Sequence, residues 1–220
     1  IDIKISKSDV DRDSLFATNT TVTLQIWDFN HFDKSDGSGK AGILFGTKYV
    51  YENYANMNDS YGCYGGWNNS TMKRRYMSAT ISALPENLLN VIKEVNTYAN
   101  AGAQQLSDGP VVSKPSSRPS IGKLSKDKLF VPGFTEVFGP SIEPDQTKTE
   151  SNQKKFSIFT DDNSRIKKMN AYGDAKRWWT RSGVYDDPGD YWATYTDGNA
   201  IRLVEGDFTG EVSVCLCFNV

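Results

Sequence analysis

Three pairs of carboxylates are the residues of this sequence best suited to acid–base chemistry. They are Asp161 with Asp162, Asp186 with Asp187, and Glu143 with Asp145. Paired acids can serve as general acid and general base in a reaction. Each pair lies in a turn-rich stretch, where aspartate is favoured because its side chain bonds the local backbone. We therefore expect these acids to shape turns, and the sequence indicates no catalytic residue and no enzyme.

The cysteines and the single histidine offer little for metal or nucleophilic chemistry. A zinc site needs four ligands, and the chain has only His31 beside Cys63, Cys215 and Cys217. On a strand, Cys215 and Cys217 would point to the same face, which favours buried packing in the apolar tail. A disulfide from Cys63 to one of them, and a Cys–His pair formed with His31, remain open alternatives. We expect no metal and no cofactor.

A glycine-rich run, Gly37-Ser38-Gly39-Lys40, superficially suggests a phosphate-binding loop. The pattern G-x-x-x-x-G-K-[ST] fails because residue 34 is lysine and residue 41 is alanine. The run also lacks the alternating oxygen ligands of a calcium loop. It therefore predicts an ordinary tight turn.

Composition argues against two classes of partner. The formal net charge is −2 with 24% charged residues, so no positive field attracts nucleic acid. No apolar run approaches the roughly 18–20 residues that a membrane helix needs, so we expect no membrane insertion. Aromatic residues make up 12% of the chain, which is too many for a disordered protein.

The segment 183–199 has the composition of a binding surface, because large rigid aromatics alternate with small and acidic residues. Tyrosine and tryptophan supply contact area at low entropic cost, while aspartate and asparagine adapt their hydrogen bonds. The expected ligand-binding residues are Tyr185, Asp186, Asp187, Asp190, Tyr191, Trp192, Tyr195, Asp197 and Asn199. The alternative is a β-hairpin whose aromatics pack the core, and for Trp178 and Trp179 we expect burial.

Hydrophobic periodicity predicts an α+β fold. Strand-forming stretches at 21–27, 43–45 and 48–51 precede two amphipathic helices at 70–83 and 86–98. A long irregular loop is expected over 101–126, and β structure returns from Lys154 onward. The apolar stretch 211–218 should lie close to strand 21–27 in a small mixed or antiparallel sheet.

We expect a single domain over residues 1–220, with 1–20 as a peripheral N-terminal arm.

Four sequence blocks, in this order, resemble a bacterial and phage domain family of uncharacterised function. The blocks are Phe29-Asn30-His31 with 36–42; Gly65-Gly66-Trp67 with Met72, Arg74-Arg75, Leu84-Pro85 and Leu88; Lys128-Leu129-Phe130 with Glu136-Val137-Phe138-Gly139; and 165–168 before Trp178-Trp179-Thr180-Arg181-Ser182. Two departures are Thr180, where the family has leucine, and Glu211-Val212-Ser213-Val214, where it has G-V-R-P. The resemblance implies a C-type-lectin-like fold, and some members resemble variable proteins of diversity-generating retroelements.

The resemblance implies a ligand-recognition module of the receptor-binding or adhesion type, with a C-terminal surface that a retroelement could diversify. Its partner would be a protein or glycan on a target surface, and its location extracellular, on a cell surface or on a virion. One alternative is a structural decoration domain without a specific ligand. Another is an oxidase resembling formylglycine-generating enzymes, which use a pair of cysteines. Oligomeric state is not readable from the sequence.

Overall fold

A computed structural model describes residues 1–51, 55–59, 62–63, 65–100, 122–185, 187, 189–203 and 212–220. The strands are β1 (Asp2–Lys4), β2 (Thr21–Phe29), β3 (Ile43–Thr47), β4 (Val95–Ala99), β5 (Lys123–Asp127), β6 (Lys167–Lys168), β7 (Ala175–Gly183), β8 (Tyr191–Thr194), β9 (Ala200–Leu203), β10 (Val212–Ser213) and β11 (Cys217–Asn219). The α-helices are α1 (Ser78–Ala83), α2 (Glu86–Leu89), α3 (Phe134–Phe138), α4 (Pro144–Thr149) and α5 (Asp162–Arg165). A 3₁₀ turn spans Trp67–Asn69 and a π-helical segment spans Met72–Met77.

The three N-terminal strands and β11 build an antiparallel sheet in the order β1-β2-β3-β11. In β2, Val22 and Leu24 are buried on alternate positions, as the period-two pattern predicts. The expectation that the strands at 21–27 and 211–218 share a sheet is confirmed, although β3 lies between β2 and β11. Beyond its pairing with β3, β11 exchanges backbone hydrogen bonds with Phe130.

A second sheet has the order β10-β7-β8-β9, and β6 also pairs with β7. Strand β10 runs parallel to β7, while β6, β8 and β9 are antiparallel to their neighbours. The C-terminal segment 212–220 therefore leaves this sheet after β10 and joins the first sheet through β11. Its side chains are buried from Val212 to Asn219.

The first predicted helix is confirmed in position, because the π-helical segment and α1 together span 72–83. Ser70 acts as its cap, since its Oγ accepts a hydrogen bond from the backbone N–H of Lys73 at 3.1 Å.

The second predicted helix, 86–98, is wrong beyond Leu89. Strand β4 replaces its C-terminal part because Val95 and Thr97 are buried on alternate positions and pair with β5. The backbone of Asn96 also bonds the carbonyl of Asp33 at 2.9 Å. These tertiary hydrogen bonds outweigh the helical spacing of the apolar residues.

Three further expectations need correction. The irregular loop expected over 101–126 contains β5 at its end, and its part 101–121 lies outside the described residues. No strand forms at 48–51, where Tyr51 makes a single bridge to Val214. The N-terminal arm is not peripheral, because it contributes β1 and buries Ile5, Leu15 and Phe16. The coarse prediction, a mixed fold with few helices and mainly antiparallel sheets, is confirmed.

Candidate functional site: the turn surface of the second sheet

The C-terminal part of β7 is buried from Trp178 to Gly183 and forms the inner end of the strand. It carries a fully buried ion pair between Arg181 and Glu136 of α3. The Arg181 guanidinium donates to both Glu136 carboxylate oxygens, to the carbonyl of Val131 at 2.8 Å, and twice to the carbonyl of Tyr98. These five bonds use all of its N–H groups. Although burial works against the charged form, the Glu136 carboxylate raises the pKa of Arg181. The pair is therefore satisfied internally and offers no free donor to a ligand.

A second buried network surrounds Gln146 of α4 and Glu150, the residue that follows this helix. The Gln146 Oε1 accepts from the Trp192 indole N–H at 2.9 Å and from the backbone N–H of Tyr185 at 3.0 Å. Glu150 accepts from the backbone N–H and hydroxyl of Thr135 at 3.1 and 2.9 Å. Burial raises the pKa of Glu150 despite these donors. This network fixes the start of the β7–β8 connection to α4.

A third buried group joins Trp67 and Lys73 to β5. The Trp67 indole N–H donates to Asp127 Oδ2 at 3.0 Å, and Lys73 Nζ lies 2.8 Å from Asp127 Oδ1. Thr97 also donates to Asp127, at 2.5 Å. Three of the sequence blocks that carry the family resemblance thus contribute Trp67, Glu136 and Arg181 to internal polar networks. These residues hold the scaffold together.

The expected display of Asp190, Tyr191 and Trp192 is wrong, because all three are buried. Both faces of β8 are covered, so alternation along the strand brings neither aromatic ring to the surface. The Tyr191 hydroxyl accepts from Asn58 at 3.2 Å, and burial raises its pKa. The Trp192 ring lies 4.6 Å from that of Phe134. The expected burial of Trp178 and Trp179 is confirmed, since both are inaccessible to solvent.

The remaining predicted residues do not form one surface. Tyr185 and Asp187 lie between β7 and β8 and are half-buried, and Asp186 lies outside the described residues. Tyr195, Asp197 and Asn199 lie in the turn between β8 and β9, at the opposite end of β8. A strand of this length spans about 13 Å, at about 3.3 Å per residue. The two groups are therefore separated by the buried strand.

The β8–β9 turn is held rigidly. Its backbone closes through bonds from Tyr195 N to Asn199 O at 2.8 Å and from Gly198 N to Tyr195 O at 3.1 Å. Gly198 has φ 87°, and a Cβ there would lie 1.9 Å from the carbonyl oxygen of Asp162. The buried Arg165 donates to the Gly198 carbonyl at 2.8 Å. This backing fixes the positions of Tyr195, Asp197 and Asn199 before any partner binds.

The exposed side chains of this turn are polar and charged. Asp197 Oδ1 accepts from the backbone N–H of Asn199 at 2.9 Å, and this bond lowers the pKa of Asp197. Its carboxylate is therefore ionised at neutral pH. The guanidinium of Arg177, at the outer end of β7, lies 4.9 Å from the centre of the Tyr195 ring.

Sequence reasoning missed Tyr172, which is 99% exposed. It lies in the β6–β7 turn, where its backbone N–H donates to Asn170 Oδ1 at 2.9 Å. Since Trp178 pairs with Thr194, the start of β7 lies at the same end of the sheet as the β8–β9 turn. The sequence Asn-Ala-Tyr-Gly-Asp over 170–174 could have indicated this position, because it combines an aromatic with small and acidic residues as the predicted segment 183–199 does.

We use the name turn surface for Tyr172, Arg177, Tyr195, Asp197 and Asn199.

The described ranges contain no group of three or more His, Cys, Asp or Glu residues suited to hold a metal ion. No described helix is long and apolar enough to cross a membrane.

Residues 42–219 match the family described as Domain of unknown function (DUF6273). The chain belongs to this family. The match covers β3 through β11 and three of the four sequence blocks, whereas most of the first block, with β1 and β2, precedes it. The DUF6273 domain gave no significant match among curated proteins or among solved structures. These comparisons show no link to lectin-like or retroelement proteins.

Proposed function

We propose that this DUF6273 domain is a ligand-recognition module whose contact surface is the turn surface. One observation carries the proposal: a fully exposed tyrosine and a braced Tyr-Asp-Asn turn lie at one end of a sheet whose buried part holds internal polar networks. Rigid display of aromatic and acidic side chains lowers the entropic cost of binding. The module would bind through these side chains and perform no reaction on its ligand.

The chemistry of the turn surface suits a partner with both apolar and polar groups. Tyr172 and Tyr195 supply ring faces, which commonly act as anchors at the centre of interfaces. Asp197 and Asn199 supply acceptors beside them, and Arg177 supplies a cation next to the Tyr195 ring. A glycan or a polar loop of a protein offers hydroxyl or amide donors for the acceptors and flat apolar patches for the rings.

The state of the cysteines supports a recognition module over the oxidase alternative. Cys63, Cys215 and Cys217 are all buried, and none of them forms a disulfide. Burial raises the pKa of Cys215 to about 11 and that of Cys217 well above its usual range. A catalytic thiol needs an accessible thiolate, which these environments disfavour.

The C-type-lectin-like fold and diversification by a retroelement are part of this proposal and rest on the resemblance of the sequence blocks. Exposed positions tolerate variation better than core positions, so variable codons would fall in the turn surface and not at Tyr191 or Trp192. The gene neighbourhood tests this point. A nearby reverse transcriptase and a near-duplicate of the 3′ end, differing at adenines, are expected. The proposed location is extracellular, on a cell surface or on a virion.

The test is a parallel screen of the wild-type domain and a triple variant, Tyr172→Ala/Tyr195→Ala/Asp197→Ala, on a glycan array and a displayed peptide library. Wild-type binders should be lost by the triple variant while it remains folded, with its melting temperature lowered only by the loss of the Asp197–Asn199 bonds and of the Arg177–Tyr195 contact. Tyr185→Ala is the matched control, because it removes the same side chain at the other end of β8. Binders lost by Tyr185→Ala and retained by the triple variant would place the contact surface elsewhere.

A further inference from the structure

The N-terminal strand β1 has one unpaired edge within the described part of the chain. It ends the sheet order β1-β2-β3-β11 and pairs only with β2 there. Ile1 O accepts from Leu24 N, and Ile5 N donates to Thr20 O. Because antiparallel ladder bonds alternate, the residues between them, Asp2 and Lys4, direct their backbone N–H and C=O away from β2. An open edge of this kind is a template for another strand.

A groove borders this open edge. It is lined by Asp2, Ile3 and Lys4 of β1 together with Pro85, Asn87, Leu88 and Val91, and its volume is about 430 Å³. Val91 is 45% exposed and Ile1 is 73% exposed. The side chains of Asp2 and Lys4 point to solvent, whereas that of Ile3 is half-buried on the inner face. The edge thus combines free backbone groups with apolar surface.

The charges along this edge are self-complementary. In antiparallel pairing of two β1 strands about a twofold axis at Ile3, Asp2 of each copy lies opposite Lys4 of the other. The register also agrees with the backbone, because residues 2 and 4 then form the hydrogen-bonded pairs and the two Ile3 residues the non-hydrogen-bonded pair. Opposite charges at directly paired positions are stabilising, and like charges are destabilising.

We propose that β1 is a self-association surface that pairs with β1 of a second copy of this chain and joins two four-stranded sheets. Each copy would contribute the backbone N–H and C=O groups of Asp2 and Lys4, which form two hydrogen-bonded pairs across the interface, together with the apolar lining at Leu88 and Val91. This surface is separate from the turn surface, which belongs to the second sheet. Both surfaces can therefore operate in one assembly.

Charge reversal tests the pairing by sedimentation equilibrium over a concentration series. Wild type should dimerise. Lys4→Asp places Asp2 opposite aspartate in both symmetric pairs, and Asp2→Lys places lysine opposite Lys4, so each should raise the dimer Kd roughly tenfold or more. An equimolar mixture of the two variants should recover association, because the heterodimer restores opposite charges. The double variant Asp2→Lys/Lys4→Asp should dimerise as wild type does.

Lys168→Asp is the control, since it makes the same change of net charge on an exposed lysine of the second sheet. It should leave the dimer Kd unchanged. Recorded below the dimer Kd, where self-association does not stabilise the fold, thermal melts of the variants should stay close to wild type, and Asp2→Lys should lose only the 2.7 Å bond from the Thr23 hydroxyl to Asp2 Oδ1. A wild-type chain that remains monomeric would overturn the proposal. So would a mixture of the two single variants that associates no better than either alone.

Discussion

Each end of β7 carries an arginine, and the two arginines have different roles. At the inner end, Arg181 is inaccessible to solvent and makes five hydrogen bonds inside the protein. Four residues earlier, Arg177 is half-buried and packs its guanidinium over the Tyr195 ring. The residues of β7 follow the same division, because Ala175–Arg177 are half-buried and all residues from Trp178 onward are buried. The recognisable WWTRS block therefore marks the scaffold, and the side chains available to a partner lie in the less recognisable turns.

The largest expected effect on stability comes from disrupting the buried Arg181–Glu136 ion pair. Arg181→Met leaves the Glu136 carboxylate buried without its partner, which should lower the free energy of unfolding by about 3–5 kcal/mol. Denaturant unfolding measures this loss. The double variant Glu136→Leu/Arg181→Met should lose less than the sum of the two single variants, with a coupling of about 0.5–3 kcal/mol. Additive losses would contradict the described ion pair.

The next effect concerns the brace beneath the turn surface. Gly198→Ala should destabilise by more than the roughly 1–2 kcal/mol that left-handed backbone alone costs, because its Cβ meets the Asp162 carbonyl. Gly37→Ala is the matched control. Gly37 has φ 76° and nothing within 4 Å of an added Cβ, so it reports the backbone cost alone. Equal melting temperatures for the two variants would show that the turn is not braced.

A smaller effect on stability is expected from removing the buried indole N–H of Trp192, and a still smaller one from removing the more exposed hydroxyl of Tyr195. Trp192→Phe removes the N–H that bonds Gln146 and some ring volume, which should cost about 1–2 kcal/mol. Tyr195→Phe removes a hydroxyl outside the buried core and should change stability by less than about 0.5 kcal/mol. Unfolding curves for both variants test the contrast. A larger loss for Tyr195→Phe would place its hydroxyl in the scaffold.

The smallest expected effect on stability is at Tyr172. Tyr172→Ala removes a side chain that is 99% exposed and should change the free energy of unfolding by less than about 0.5 kcal/mol. The same variant should weaken binding of any ligand found by the array screen. Asn170→Ala is informative beside it, because it removes the side chain that holds the Tyr172 backbone and should weaken binding while retaining the ring.

Local patterns predicted the elements that depend on local interactions. The alternation at 21–27 identified β2, and the Ser70 cap with its apolar stripe located the helix over 72–83. They failed where a distant segment decides the outcome. Val95 fits a helical stripe with Leu88, Val91 and Ile92, yet it pairs with β5 and belongs to a strand.

The site was predicted in part for the same reason. Composition identified Tyr195, Asp197 and Asn199, but it could not separate them from Tyr191 and Trp192, which have similar neighbours in sequence. The difference arises because α3 and the segment around Asn58 cover β8, and both are distant along the chain. Tyr172 was missed because it precedes the segment in which aromatic residues are densest.

The path of the C-terminal segment bears on how this domain is made. Residues 212–220 supply β10 to one sheet and β11 to the other, so both sheets lack a strand until those residues have been synthesised. Pairings over such sequence separations form slowly because the chain entropy must be lost before the contacts form. Shortened translation products ending before Val212 would carry two unpaired strand edges, at β3 and at β7. We expect such products to aggregate or to be degraded.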